Sequence, residues 1–104
     1  MFVMIRTFSI AKGSSSKMIE RLNQPSPVEK ASGLISKSVL TSLKPGEVEK
    51  VLVQIVWESK DAFLAWERSP EHLAMHRAKA ERPDFILEVK VESYTLINEK
   101  RYRE

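Results

Sequence analysis

The chain has 104 residues, of which 42% are hydrophobic and 30% charged, with a formal net charge of +3 and no cysteine. That length suits one domain, so residues 1–104 are expected to form a single domain. A small positive charge without a long basic block argues against nucleic-acid binding. No apolar run approaches the roughly 20 residues that cross a bilayer, so we expect no membrane association. A small domain without cysteine is typical of a reducing compartment, and we expect a cytoplasmic protein.

Hydrophobic periodicity and capping residues predict the elements of the chain. In chain order they are a strand at 2–12, a helix from one of Ser14, Ser15 or Ser16 to about Asn23, a loop or irregular short helix to Ser32, strands at 34–43 and 48–57 joined by a turn at 44–47, a helix capped by Ser59 and carrying Trp66, a second helix starting at Ser69-Pro70 and running to about Ala80, and a strand at 85–97. The last strand places Phe85, Leu87, Val89 and Val91 on one apolar face. This order is the ferredoxin-like α+β arrangement with its second helix broken in two.

The third strand is apolar on both faces. One face carries Val51, Val53, Ile55 and Trp57, and the other carries Leu52 and Val56. A sheet in a small two-layer domain normally has one polar face. The pattern therefore predicts that a second copy of the chain covers the outer face, in a homodimer.

The only two histidines, His72 and His76, are four residues apart and lie on one side of the predicted helix. They are either a metal-ligand pair, or one surface and one buried histidine; a single histidine could also ligate a haem iron. His72 follows Pro70 in the first helical turn, so we expect its side chain to face solvent. His76 lies beside Leu73 and Ala80, which suits a partly buried, neutral imidazole.

Three further residues have unusual positions. Trp57 ends a strand and is interpreted as core. Trp66 lies near the end of its helix, where it is either core or the wall of a pocket between helix and sheet. Arg6 interrupts the apolar face of the first strand, so it either extends to the surface or faces a cavity that holds an anion.

The stretch 56–69, Val-Trp-Glu-Ser-Lys-Asp-Ala-Phe-Leu-Ala-Trp-Glu-Arg-Ser, followed by Glu71-His-Leu-Ala-Met-His-Arg77, resembles the antibiotic biosynthesis monooxygenase superfamily. Within it, the chain is most similar to the Isd-type haem-degrading monooxygenases, in the HmoA-like branch. The resemblance covers nearly the whole chain. The Trp-Glu-Ser segment is common to the superfamily, whereas the spacing from Trp66 to His76 is more specific to the haem-degrading members.

The resemblance implies a dimeric ferredoxin-like fold whose two sheets pack into a shared barrel, with a haem held between each sheet and its broken helix. In that family the histidine that matches His76 is the proximal ligand of the haem iron. The tryptophan that matches Trp66 presses on the porphyrin and distorts it. The family's distal asparagine falls on or next to Arg6, by the register of Lys12-Gly13. This departure leaves open which group supplies a distal hydrogen bond, and where the ring is cleaved.

Haem is a flat, apolar ligand with two propionates, for which aromatic walls and a basic rim are expected. Arg77, with Lys79 and Arg82, either meets these carboxylates or forms a solvated face. The function implied is oxidative haem degradation with release of iron. Haem is both cofactor and substrate, O₂ is consumed, and electrons come from a separate reductase or a small-molecule reductant. The alternatives are a cofactor-free monooxygenase acting on a quinol or polyketide, and a haem-binding protein without catalysis.

Overall fold

The computed structural model describes residues 1–44, 46–78 and 82–103. Its elements follow the predicted order: β1 (Phe2–Ala11), α1 (Ser15–Leu22), a short 3₁₀ helix (Pro27–Lys30), β2 (Leu34–Thr41), β3 (Val48–Trp57), α2 (Lys60–Glu67), α3 (Pro70–Ala78) and β4 (Ile86–Thr95). The α+β ferredoxin-like prediction is confirmed, and the segment left open after α1 is the 3₁₀ helix. Pro45 of the predicted turn, together with Lys79 and Ala80 at the predicted helix end, lies outside the described residues.

The four strands form one antiparallel sheet in the order β2-β3-β1-β4. Cross-strand partners share a face, so the pairs Phe8–Val51 and Phe2–Trp57 define the face that the helices cover. The buried core lies on that face and consists of Phe8, Ile10, Met18, Val51, Val53 and Ile86. Trp57 is 1% exposed, as predicted for a core residue.

Different helices cover the two ends of this face. At one end, Met18 of α1 packs into the core cluster. At the other end, Phe63 of α2 stacks on Phe2, with ring centroids 5.4 Å apart, and meets the edge of Trp57 at 5.8 Å. Arg6 lies on the same face between these two packed ends, because it pairs with Val53 of β3.

Helix starts follow the predicted serines, with one difference in chemistry. Ser59 Oγ accepts a hydrogen bond from the Ala62 backbone N–H at 3.1 Å, as a capping residue does. Ser14 is the N-cap residue of α1 but makes no side-chain capping bond. Instead, Glu49 Oε1 accepts from the Gly13 N–H at 3.1 Å and from Ser15 Oγ at 2.8 Å. The carboxylate on β3 therefore holds the β1–α1 turn, which local capping rules do not predict.

The last strand differs from its prediction at both ends and in its faces. It begins at Ile86 and ends at Thr95. A bulge lies where Ile10 pairs with Ile86 and Ser9 pairs with Glu88, so Leu87 is the extra residue. The expectation that Leu87 lies on the apolar face is wrong: the residue is 50% exposed, and Ile86 occupies the core.

The outer face of the sheet carries the apolar residues that suggested a second copy. Leu52 and Val56 are partly buried there, and Leu40, which pairs with Leu52, is 47% exposed. Among the described residues, no helix has the length and apolar character needed to cross a membrane.

Substituting Gly33 by alanine is expected to destabilise the protein more than the same change at Gly13. Both glycines have positive φ, +87° and +85°, which costs an alanine about 1–2 kcal/mol. An added Cβ at Gly33 would lie 2.6 Å from Ala62 Cβ, whereas a Cβ added at Gly13 would have no atom within 4 Å. Overpacking of this kind costs a further 1–3 kcal/mol or so. Urea unfolding of both variants measures the difference, and equal losses would show that the contact with Ala62 is relieved by a small backbone shift.

Candidate functional site

A cleft of about 690 Å³ opens between the segment that follows α1 and the corner where α2 meets α3. Its volume lies within the range of about 300–1,000 Å³ that is usual for small-molecule and cofactor sites. It is lined by Pro25, Ser26, Pro27, Glu29, Lys30, Ala31, Ser32, Ala62, Ala65, Trp66, Ser69 and Glu71. The segment 25–32 was predicted from sequence as a loop or an irregular short helix, with no role in a site. Two prolines within three positions were the available sign of a rigid wall.

Trp66 is the large aromatic wall of the cleft. It stands on the last turn of α2, and Ala62 and Ala65 on the same side of the helix are small enough to leave space beside it. The indole is partly buried rather than part of the buried core cluster. The structure thus places Trp66 in the wall of a cleft, but this cleft lies against segment 25–32 and not between helix and sheet as expected.

Two imidazoles continue from Trp66 along α3. The ring of His72 meets Trp66 edge to face, with centroids 5.5 Å apart and planes at 83°. His76 follows, with its ring centroid 4.5 Å from that of His72 and the two Nε2 atoms 2.7 Å apart. The three aromatic rings form one continuous row.

The expected burial of the two histidines is wrong, because His72 is partly buried and His76 is exposed. Helix α3 begins immediately after α2, at Pro70, and helical side chains lean toward the N-terminus. The first-turn ring of His72 is therefore directed back onto Trp66. The ring of His76, one turn later, lies beyond that contact. Ala80, which was expected to flank His76, lies outside the described residues.

Arg6 is the predicted site residue on the sheet. Its side chain is exposed, although it lies on the helix-covered face between Val53 and Val91. Its charge makes the smallest of the contributions that shift the pKa of His72, and it lowers that pKa. Within the described ranges the ion pairs join Lys90 to Glu92 and Arg101 to Glu99, and none involves Arg6. Of the two interpretations of Arg6, extension to the surface agrees with its exposure, and Arg6 lines neither of the two cavities in the described part of the chain.

The pKa of His72 is lowered from its ordinary value of 6.5. Partial burial is the largest cause, followed by the neighbouring His76, and the positive charge of Arg6 acts in the same direction. Glu67 opposes them and raises the pKa. All three lowering effects disfavour the protonated imidazole and favour the neutral form of His72.

Of the predicted site residues that the structure describes, Trp66 alone lines the cleft. Arg6, His76, Arg77 and Arg82 are exposed and do not line it; Lys79 lies outside the described residues. Across residues 1–44, 46–78 and 82–103, no group of three or more histidine, cysteine, aspartate or glutamate side chains could hold a metal ion. A metal bound in this site would therefore need most of its ligands from a group other than these side chains, as in a metal complex.

Acidification is expected to destabilise the protein through His72. A folded-state pKa below 6.5 means that the unfolded chain binds more protons, so the free energy of unfolding rises with pH up to and slightly above 6.5. The stability of the wild type should therefore fall between about pH 7.5 and pH 5.5, and His72→Phe should reduce that fall. Urea unfolding at both pH values measures it. Met75→Leu, an exposed change on the same helix, is the control. An undiminished fall in His72→Phe would contradict the assignment.

Comparison with known proteins identifies the family. The model of the family "Antibiotic biosynthesis monooxygenase" matches residues 1–78. The haem-degrading monooxygenase HmoA of Bacillus subtilis (strain 168) is 37% identical over an alignment of 97 residues that covers 90% of this chain and 89% of that protein. A haem-degrading monooxygenase of Bacillus cereus (strain Q1) is 31% identical over 94 residues, covering 90% of this chain and 88% of that protein.

Solved structures agree on the fold. The haem-degrader MhuD of Mycobacterium tuberculosis, solved with two haems bound in its active site, superposes with a TM-score of 0.78. The match covers 97% of this chain and all of that one, at 24% identity, which supports the fold alone. With a family model over three quarters of its length and relatives above 30% identity over nearly all of it, the chain belongs to the antibiotic biosynthesis monooxygenase family and is similar in sequence to its haem-degrading members.

Proposed function

We propose that this protein is a haem-degrading monooxygenase that binds haem at the α2–α3 corner, as both cofactor and substrate. The observation that carries the proposal is the row of rings that begins at Trp66, in the wall of the cleft, and continues through His72 to His76. It combines an aromatic wall with an exposed imidazole, in a chain related to haem-degrading enzymes.

The residues present suit a haem. The cleft is large enough for a cofactor, and one of its walls is an aromatic ring. The absence of a multi-residue metal cluster among the described residues is no obstacle. A porphyrin supplies four ligands to its own iron, so a single histidine from the protein completes a haem site.

His76 is the better iron ligand of the two histidines. A ligating imidazole normally donates the N–H of its other ring nitrogen to an acceptor or to water. Nδ1 of His72 is buried, with no hydrogen-bond partner among the described residues, so that requirement is unmet there. The ring of His76 is exposed, and its second nitrogen can meet water.

Each of the other residues has a role in orienting the ligand. Trp66 provides the aromatic surface against which the porphyrin is pressed. Arg6 presents only hydrogen-bond donors from the sheet side and can stabilise negative charge there. Arg77 and Arg82 are exposed and free to reach the propionates at the rim. Haem supplies the redox chemistry at its iron, with O₂ and electrons from a separate reductase or small-molecule reductant. Opening of the ring releases the iron.

We also propose that the protein is a homodimer that covers the outer face of the sheet. Introducing a charge there, in Leu52→Lys, should dissociate the dimer, because an unpaired ammonium would be buried between the two sheets. Met75→Lys on the exposed side of α3 is the matched control and should leave the dimer intact. Analytical ultracentrifugation measures the change. A monomeric wild type at micromolar concentration would refute the proposal.

Haemin titration tests the proposed ligand. Wild type and His72→Ala should both develop a Soret band and the spectroscopic signature of a histidine-ligated iron, and His76→Ala should lose that signature. Addition of ascorbate should then bleach the Soret band in the first two proteins and not in the third. Loss of the iron–histidine signal in His72→Ala instead would move the ligand by one helical turn.

The same titration distinguishes the other functions. A wild type that develops no Soret band would favour the cofactor-free monooxygenase acting on a quinol or polyketide. A Soret band that persists under reductant would favour a haem carrier.

Trp66→Ala should bind haem but degrade it at least about tenfold more slowly, which corresponds to 1.4 kcal/mol in the barrier. Trp57→Ala is the matched control, because that indole is fully buried and its loss should cost about 3–5 kcal/mol of stability. Thermal melts and haem-degradation rates of both variants separate the two roles. Full activity in Trp66→Ala would remove this residue from the site.

A further inference from the structure

The contact between the two histidines engages the ring nitrogen of His76 that is farther from the backbone. The Nε2 atoms of His72 and His76 are 2.7 Å apart, which is a hydrogen-bond distance. A neutral imidazole has one N–H and one bare nitrogen, so one Nε2 donates and the other accepts. If His76 accepts, its Nε2 lone pair is taken by His72. If His76 donates, its Nε2 carries a proton instead. In both directions, Nε2 of His76 is unavailable to a metal.

The same contact fills the space that a metal would need. An imidazole nitrogen binds a metal at about 2.0–2.1 Å, as in zinc sites. Nε2 of His72 lies only 2.7 Å from Nε2 of His76 and so occupies the direction in which the metal would approach. Nδ1 of His76 is bonded to the ring carbon that carries the side chain, so a flat porphyrin bound there would come closer to the backbone of α3. The two histidines therefore have to separate before His76 ligates an iron through Nε2.

His76 is the member of the pair that is free to move. His72 is held at two points, since its backbone N–H donates to Ser69 Oγ at 3.2 Å and its ring packs edge to face on Trp66. The His72 ring is also partly buried, with its Nδ1 inaccessible to solvent. The ring of His76 is exposed, and the bond to His72 is its one side-chain hydrogen bond within the described part of the chain. Rotation of His76 about its side-chain bonds therefore breaks this contact and no other described hydrogen bond.

We propose that His72 competes with the haem iron for Nε2 of His76 and thereby lowers the haem affinity of the protein. In the haem-free protein the two imidazoles bind each other, and His76 turns away from His72 when it ligates the iron. The net free energy of one hydrogen bond is small, so the competition weakens haem binding without abolishing it. The proposal rests on the proposed function, because it takes His76 as the iron ligand. Haem affinity then depends on a residue that is not itself a ligand.

The contact itself is tested by magnetic resonance in the haem-free protein. The chain has two histidines, so nitrogen-15 labelling of histidine marks these two rings alone. At about pH 8, above the ordinary pKa of histidine, a nitrogen–nitrogen scalar coupling across the hydrogen bond should join the two Nε2 atoms. Met75→Leu, an exposed change on the same helix, should retain this coupling. Absence of the coupling in the wild type would overturn the proposal.

A porphyrin added to the labelled protein tests the separation of the two rings. Zinc protoporphyrin is a diamagnetic haem analogue whose metal takes one axial nitrogen ligand. Its binding should remove the coupling between His72 and His76 in proportion to the fraction of protein bound. A coupling that persists in the porphyrin-bound protein would contradict the proposal, because Nε2 of His76 would still be bonded to His72.

Haemin affinity measures the competition. His72→Phe keeps an aromatic ring against Trp66 but cannot bond to His76. It should bind haemin about two- to tenfold more tightly than the wild type, or roughly 0.4–1.4 kcal/mol. Met75→Leu should bind haemin as the wild type does. The gain should vanish when His76→Ala is present in both proteins compared, since no nitrogen then remains to compete for.

Two affinity results would refute the competition. One is an unchanged or weaker affinity of His72→Phe for haemin. The other is an equal gain in the His76→Ala background, which would show that the introduced phenylalanine contacts the haem directly. Failure of the proposed function is recognised separately, because no Soret band would then develop in the wild type or in any variant.

Discussion

The break between α2 and α3 at Ser69-Pro70 is the constraint on which the site depends. Proline cannot continue α2, and the Ser69 hydroxyl accepts the His72 backbone N–H to start a new helix at once. With so short a connection, the last turn of α2 and the first turn of α3 have to pack against each other. The contact between the rings of Trp66 and His72 follows directly from this corner.

The helices cover the sheet unevenly. Helix α1 packs at one end of its covered face, through Met18, and α2 packs at the other, through Phe63. The middle of the face is left less covered, and Val91 is 49% exposed there. A charged residue such as Arg6 is tolerated at that position because its guanidinium keeps access to water. The incomplete cover of the sheet between α1 and α2 therefore explains why a charged residue can stand at position 6.

Binding sites often contain residues that are incompletely packed, because side chains whose contacts are all made within the protein cannot also contact a ligand. Here the features that remain accessible are an exposed imidazole, a partly buried indole and a cation with no described ion-pair partner. The two rings lie at the corner between α2 and α3, whereas the cation, Arg6, comes from β1, more than fifty residues earlier in the chain. Membership of a monooxygenase family is the reason to connect these features with the proposed haem site, because a fold by itself does not specify a function.

The sequence by itself determined the order of the elements, most helix starts and the burial of Trp57, because these depend on periodicity and on hydrogen bonds between near neighbours. It also carried the family resemblance through the Trp66–His76 spacing. Only the tertiary structure decided which histidine is buried, where Arg6 lies, and that a bulge turns Leu87 outward. Each of these depends on packing between segments that are distant in the chain. The residue pattern of one segment does not show which side chains of a distant segment will pack against it.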